Sequence, residues 1–344
     1  MSLTKEFFER DTNITAKVIA DSISPSGQRI TTFEVEYPRF ILAELNTHKM
    51  LEKNSSSSRA IPIIKMIEQI ETNGATPLYW GKTKSGMQAG EEVVGNDLSV
   101  IQYLWDLARS NAVASADILS QMGLHKQTSN RLLEPFQMMK TVITGTDWDN
   151  FFNLRIHPDS QPEFCMLAYK MYMAMKESTP VKLVAGQWHL PFVHTFISKE
   201  GVQYYSDGIN PLSGGKQLSL EEAIRVSASC CAQTSYRKSD DSLEKADKIF
   251  DMLIKADVLH ASPFGHLATP VREYWQNPKP YLDDVNSMDY STWEKGITHM
   301  NRKGVLCSGN LTGWISYRHL IPNNTCYEFD FEERMKLFSD GSVS

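Results

Sequence analysis

The sequence predicts an α+β fold, with a mixed or antiparallel sheet and long helices packed against it. Three observations carry that prediction. The first part of the chain reads as strands, with clean alternation over Ile30–Tyr37, and helices dominate from Ser99. No regular strand–helix–strand alternation joins the two, as a doubly wound parallel sheet would require. With 344 residues the chain can bury one large core or two modest ones. The expected divisions are 1–180, a connection over 181–224, and 225–344, together forming one compact unit.

The elements follow in order. A strand is expected over Ala16–Asp21, a turn at Ser24–Gly27, and a second strand over Ile30–Tyr37. In the second strand Phe33, Val35 and Tyr37 alternate with Glu34 and Glu36. Pro38 ends the clean alternation, and the apolar run after it reads as a further strand carrying Glu44. The glycine-rich stretch 73–96 lacks periodicity and reads as a long loop beside a site. A helix is expected from Ser99, with Ile101, Leu104, Ala108, Ala112, Ala116 and Leu119 on one face and Gly123 as its stop. Glu163–Lys176 is a second long helix, whose methionines fill core gaps. The Pro/Gly-rich stretch Thr179–Gly215 is the best boundary. Helices over Leu220–Ala232, opened by Ser219 and Glu222 as a capping box, and over Leu243–Ala256 come next. The tail Gly309–Tyr317 returns to strand-like residues.

Composition narrows the function. The net charge of −6 and the absence of a basic run argue against long nucleic acid as a partner, whereas a mononucleotide needs only a local positive pocket. No stretch approaches the roughly 20 apolar residues of a membrane span, and the polar start does not resemble a signal peptide. Five cysteines without CxxC spacing point to reduced thiols in a cytoplasm. No metal-ligand cluster and no GxGxxG occur.

The segment with most chemistry is Pro38–Pro62, where an apolar run empties into His48, Lys49, consecutive serines and Arg59. Hydroxyls donate to phosphate oxygens and a guanidinium binds them bidentately, so the set suits an anionic nucleotide. A solvated serine loop is the other reading of the same residues.

The order of groups in that segment resembles the signature of the flavin-dependent thymidylate synthases: Arg-His-Arg, seven residues, Ser, any residue, Arg. Here Thr47-His48-Lys49 stands for the triplet, and Ser57-Ser58-Arg59 closes the motif. Thr47 replaces the first arginine, and Ser55 stands where the family has an acid. Three further segments resemble the same family. His125–Phe136 matches a helix whose arginine, here Arg131, reaches the nucleotide phosphate. NFFNLR matches the segment in which an asparagine, here Asn150, contacts flavin and an arginine, here Arg155, polarises the pyrimidine ring. His260, Ser262, Pro263, Phe264 and His266 match a block that opens ordinary members, with Gly265 in place of glutamate. Here that block lies near the end of the chain, as in larger, rearranged phage-type members.

The resemblance implies reductive C5 methylation of dUMP to dTMP, with FAD as hydride carrier and methylenetetrahydrofolate and NADPH as co-substrates. It implies Glu44, Ser57, Ser58, Arg59 and Arg131 on the nucleotide, and Arg155 as the catalytic residue on its ring. His48, Lys49, Ser55, Asn150, His260 and Ser262 fall to the flavin, and Arg318 is expected to supply the cation missing at Thr47. Family members form tetramers whose sites are shared between subunits, so a homo-oligomer is expected. Two alternatives stay open at this point: another C5 modification such as hydroxymethylation, and a flavin- or nucleotide-binding protein without turnover.

Overall fold

A computed structural model describes residues 4–206, 216–237, 240–256, 258–272 and 293–339. Part of the 181–224 connection, with its Ser-Gly-Gly sequence, therefore lies outside the described residues. The fold is α+β. Its centre is a five-stranded mixed sheet of order β3-β4-β2-β1-β5. The strands are β1 (Thr15–Ile23), β2 (Arg29–Pro38), β3 (Glu52–Ser55), β4 (Met138–Gly145) and β5 (Val181–Lys182). Only the β1–β5 pair is parallel. The β1–β2 hairpin closes through the expected turn, where Gly27 N–H donates to Ser24 O at 2.9 Å and the Ser24 hydroxyl accepts from Gln28 N.

Successive residues of a strand face opposite sides, and β4 uses this to join two cores. Val142 packs with α7 (Leu220–Gln233) and α8 (Leu243–Ile254). Ile143 packs on the other side with Phe33, Val35, Tyr37 and α6 (Pro162–Glu177). Phe164, Met166, Leu167 and Met171 of α6 are wholly buried, each contributing about 1.5–3 kcal/mol of apolar transfer. The α7 capping box forms as its sequence predicts.

Smaller sheets complete the second half: β6 (His194–Ile197), β7 (Gln203–Ser206) and β8 (Gln217–Leu218) form one. In the others, β10 (His299–Met300), β11 (Leu306–Ser308) and β12 (Leu311–Thr312) pair in order, and β9 (Ala268–Pro270) pairs with β13 (Trp314–Ser316).

Two expectations need correction. Arg39–Leu45 is not a strand: a 3-10 turn, Arg39–Ile41, runs into a short helix, α1 (Leu42–Leu45). Leu42, Ala43, Glu44 and Leu45 are good helix formers, and a single turn buries Ile41 and Leu45 while leaving Glu44 accessible. The helix α3 (Asn96–Gln121) exists, but its packed face is displaced from the expected one. Trp105, Ala112, Val113 and Ala116 pack beside α2 (Ile63–Asn73), whereas Leu104 is 54% exposed. Gly123 takes φ +87° just past the helix end, the conformation that favours glycine at a C-terminus.

Candidate functional site

Segments distant in sequence meet at one cleft of about 550 Å³, lined by Ser57, Arg59, His125, Tyr236, His260 and Ser262 among others. Three of the four motif segments thus contribute to a single concavity. Backbone and side-chain bonds hold them together. Ser57 N–H donates to Ser235 O at 3.0 Å, tying the serine–arginine loop to the end of α7. Buried Asn130 donates to Ser58 O at 2.7 Å and Ile61 O at 3.0 Å, and Lys126 Nζ donates to Ala60 O at 2.8 Å. Both come from α4 (Lys126–Ser129) and the 3-10 turn after it, so the second motif clasps the first.

Within the cleft, the Arg59 guanidinium and the side chains of His260 and Ser262 have no hydrogen-bond or ion-pair partner among the described residues. Arg59, His260 and Ser262 are all exposed at its mouth. A free guanidinium beside hydroxyl and imidazole donors matches the needs of a phosphate-bearing ligand.

A second group of expected residues gathers elsewhere. Arg155 ends α5 (Asp149–Arg155) and stacks over the Phe164 ring at 4.5 Å. Its Nε–H donates to His48 Nε2 at 2.7 Å, and its Nη atoms reach Glu44 Oε2 and Thr47 Oγ1 at 3.3 Å. Because His48 Nε2 accepts, its ring proton sits on Nδ1 and the ring is neutral. Burial first, then Arg155 and Lys53, push His48 down to about 4. Burial, with Lys49 second, brings Lys53 down to about 8, and its ammonium donates to Leu45 O and His48 O. The guanidinium that meets Thr47 within the chain is therefore that of Arg155. Arg318 lies on a 3-10 turn, Tyr317–Leu320, with a buried Nε that has no hydrogen-bond partner among the described residues.

The remaining expected residues are placed as follows. Ser58 and Arg131 both donate to Glu134 Oε1, at 3.1 and 2.6 Å, and Arg39 reaches the same oxygen at 2.8 Å. Glu134, which sequence reasoning passed over, thus occupies two groups expected on phosphate. The Ser55 hydroxyl accepts from Thr141 Oγ1. Lys49 and Asn150 are exposed. None of Glu44, His48, Lys49, Asn150 and Arg155 lines the cleft.

Gly265 has a steric reason. A Cβ there would stand 2.5 Å from Glu52 Oε2, and Asn310 Nδ2 donates to the other Glu52 oxygen at 2.8 Å. The position that carries glutamate in the resembled family is therefore approached by a carboxylate from β3. Next to it, His266 begins a wholly buried chain. Its Nδ1 pairs with Thr144 Oγ1 (2.8 Å), Thr144 with Thr32 (2.7 Å), Thr32 with His189 Nε2 (2.8 Å), and His189 Nδ1 with Ser22 (2.9 Å). Burial dominates both rings, pushing His189 down to about 4 and His266 down to about 3. His189 lies in the Trp-His-Leu run of the unassigned connection, and no periodicity marked it.

No helix of the described residues is long and apolar enough to cross a membrane. No protein-family model and no curated protein matches the chain. Solved structures similar to it include a UMP/dUMP methylase, PolB, from Streptomyces cacaoi. The form bound with 5-Br dUMP is 15% identical with a TM-score of 0.39, covering 48% of this chain and 90% of that one. The form bound with 5-Br UMP is 16% identical with a TM-score of 0.39, covering 48% and 89%. At that distance the likeness carries no argument about fold or activity.

Proposed function

We propose that the protein is a flavin-dependent enzyme that methylates C5 of dUMP to give dTMP, using methylenetetrahydrofolate and NADPH. The observation that carries this reading is the convergence of three motif segments on one cleft with an unpaired Arg59. Nothing in a structural role requires Ser57, Arg59, His125, His260 and Ser262 to share a concavity. The cleft's volume falls within the ~300–1,000 Å³ of single small-ligand sites, which suits one mononucleotide.

In this reading Ser57 and Arg59 hold the nucleotide phosphate, with Ser58 and Arg131 behind them through Glu134. Arg155 stabilises negative charge that develops on the ring carbonyl and N3 when C5 becomes nucleophilic; one such preorganised donor is worth on the order of 3 kcal/mol. His48 holds Arg155 in place as a neutral acceptor, and Glu44 fixes its other edge. FAD, when bound, supplies the hydride that reduces the transferred carbon. His260 and Ser262 are the cleft residues that would hold it; Lys49, Ser55, Asn150 and Arg318 are assigned to it on the resemblance alone. Arg155 lies outside the cleft's own lining, so the reading requires sites shared between subunits, as the resemblance implies.

Flavin content and dUMP binding test the reading. Purified protein reconstituted with FAD is expected to show the flavin absorbance bands and to release FAD on denaturation. Calorimetry should detect dUMP binding that Arg59→Ala weakens. A protein that takes up no flavin and binds dUMP equally well without Arg59 rules the assignment out.

A further inference from the structure

The glycine-rich stretch 73–96 walls a second cavity, of about 390 Å³, that shares no lining residue with the cleft. Four aromatic side chains line it: Tyr79 and Trp80 from this stretch, Phe40 from the 3-10 turn before α1, and Trp105 from α3. Trp105 stands at their corner, nearly perpendicular to Trp80 (centroids 5.9 Å apart, 82°) and to Phe40 (6.5 Å, 85°). Its indole N–H donates to Ala75 O at 3.2 Å, and the Tyr79 hydroxyl donates to Gly90 O at 2.9 Å, so both rings are tethered at their polar ends. What they offer a ligand is ring surface, whose faces carry the negative end of the aromatic quadrupole.

Glu163 lines the same cavity and is 1% exposed. One of its carboxylate oxygens accepts from Leu78 N–H at 2.6 Å and the other from Gln161 Nε2 at 2.8 Å. Those bonds, and its place in the first turn of α6, fix where it stands. They leave its charge without a counter-ion among the described residues. Arg10, over the Tyr79 ring at 6.0 Å, is committed instead to both Glu92 oxygens, at 2.8 and 2.7 Å, and to Leu78 O. Burial, foremost, pushes the Glu163 carboxyl above its ordinary value, and the charge of Glu44 pushes the same way. Buried charges are normally paired, so a lone carboxylate among aromatic faces is a site built for a cation.

We propose that this cavity binds the methylated ammonium group of a small molecule, its charge set against the rings of Tyr79, Trp80 and Trp105 and the carboxylate of Glu163. Each feature of the cavity selects for that chemistry. A primary ammonium carries three N–H donors that need acceptors, and the walls are carbon faces; methyl groups remove that demand and pack on the rings. A positive charge over an aromatic face within about 6 Å is attracted by it, most strongly over tryptophan. A divalent metal would need several oxygen ligands, whereas this cavity offers one carboxylate, and no group of three metal-ligating side chains occurs among the described residues. A neutral apolar ligand would fill the space and leave Glu163 unpaired. The site does not depend on the nucleotide cleft, and it gives the 73–96 loop a ligand to stand beside.

The test is calorimetry on the full chain with two probes: choline, and its neutral carbon isostere, in which a tert-butyl group replaces the trimethylammonium. Wild-type protein should bind choline at least about tenfold tighter than the isostere, which has the same shape and no charge. Glu163→Gln keeps the side-chain volume and an acceptor for Leu78 N–H. It should weaken choline by about tenfold or more and leave the isostere unchanged. Trp80→Leu keeps apolar bulk but removes a ring face, and should weaken choline by about 2- to 30-fold. Melting temperatures of both variants confirm that the fold is intact, and the comparison of the two probes on wild-type protein needs no variant. No choline binding, equal affinity for the two probes, or unchanged choline affinity in folded Glu163→Gln each overturns the proposal; the last would reduce Glu163 to a tie between α6 and the 73–96 loop.

Discussion

Acid should unfold this protein through two histidines that have no contact with solvent. His189 and His266 are wholly buried; Asp21 alone favours a proton, on His189, and burial outweighs it, while His189 itself opposes a proton on His266. Their folded values, about 4 and about 3, lie below the ordinary 6.5. Above pH 6.5 both states are neutral and stability is independent of these groups. As pH falls below 6.5 the unfolded chain binds protons that the folded chain refuses, and stability is lost. The loss stops growing only as pH passes through the folded values. Each such histidine contributes a slope of about 1.4 kcal/mol per pH unit, so the pair gives roughly 2.7 kcal/mol per unit between pH 6 and pH 4. Against a typical stability of about 5–15 kcal/mol, that is enough to unfold the domain in mild acid. Urea denaturation at pH 7.5, 6.5, 5.5 and 4.5 measures the slope. His189→Gln keeps an amide on the two hydroxyls and removes one titrating group. It should be less stable at pH 7.5 but flatter by about 1.4 kcal/mol per unit in acid. Equal slopes for the variant and the wild type would refute the reasoning.

Other outcomes follow from single contacts. Gly265→Ala places a methyl against the Glu52 carboxylate and should cost about 1–3 kcal/mol, measured by urea melts, with Glu52→Ala recovering most of the loss in the double variant. Arg155→Ala removes the second cause of the His48 shift and leaves burial, the first; by NMR titration His48 should move up from about 4 without reaching 6.5. Arg59→Ala should weaken dUMP binding by about 1.5–3 kcal/mol, roughly 10- to 150-fold by calorimetry, with no change in melting temperature, because its guanidinium has no partner to lose.

Where local pattern decides, the sequence was readable. The β1–β2 hairpin, α6 and the capped α7 follow from period, turn residues and a cap, all of which act within a few positions. The run before His48 was misread because a short apolar stretch fits a strand and a helical turn equally, and length is the only arbiter. On α3 the apolar residues are too many for one face, so choosing Leu104 over Trp105 merged two stripes into one. The site divides along the same line. Motif order brought Ser57, Arg59, His260 and Ser262 to attention, and they share the cleft. No sequence spacing could show that Arg155 closes on His48 and Glu44 instead, that Glu134 also takes Ser58, or that Glu52 stands at Gly265. Those are pairings between residues tens or hundreds of positions apart; only Arg131–Glu134, three positions apart, was within reach of spacing.

The most direct test of the central claim is mass spectrometry of the nucleotide recovered after incubating FAD-loaded protein with dUMP, methylenetetrahydrofolate and NADPH. The account predicts dTMP, formed only when all three small molecules are present and lost in Arg155→Ala protein that still retains flavin. Unchanged dUMP from flavin-loaded wild-type protein, or a hydroxymethyl product in place of dTMP, would contradict it.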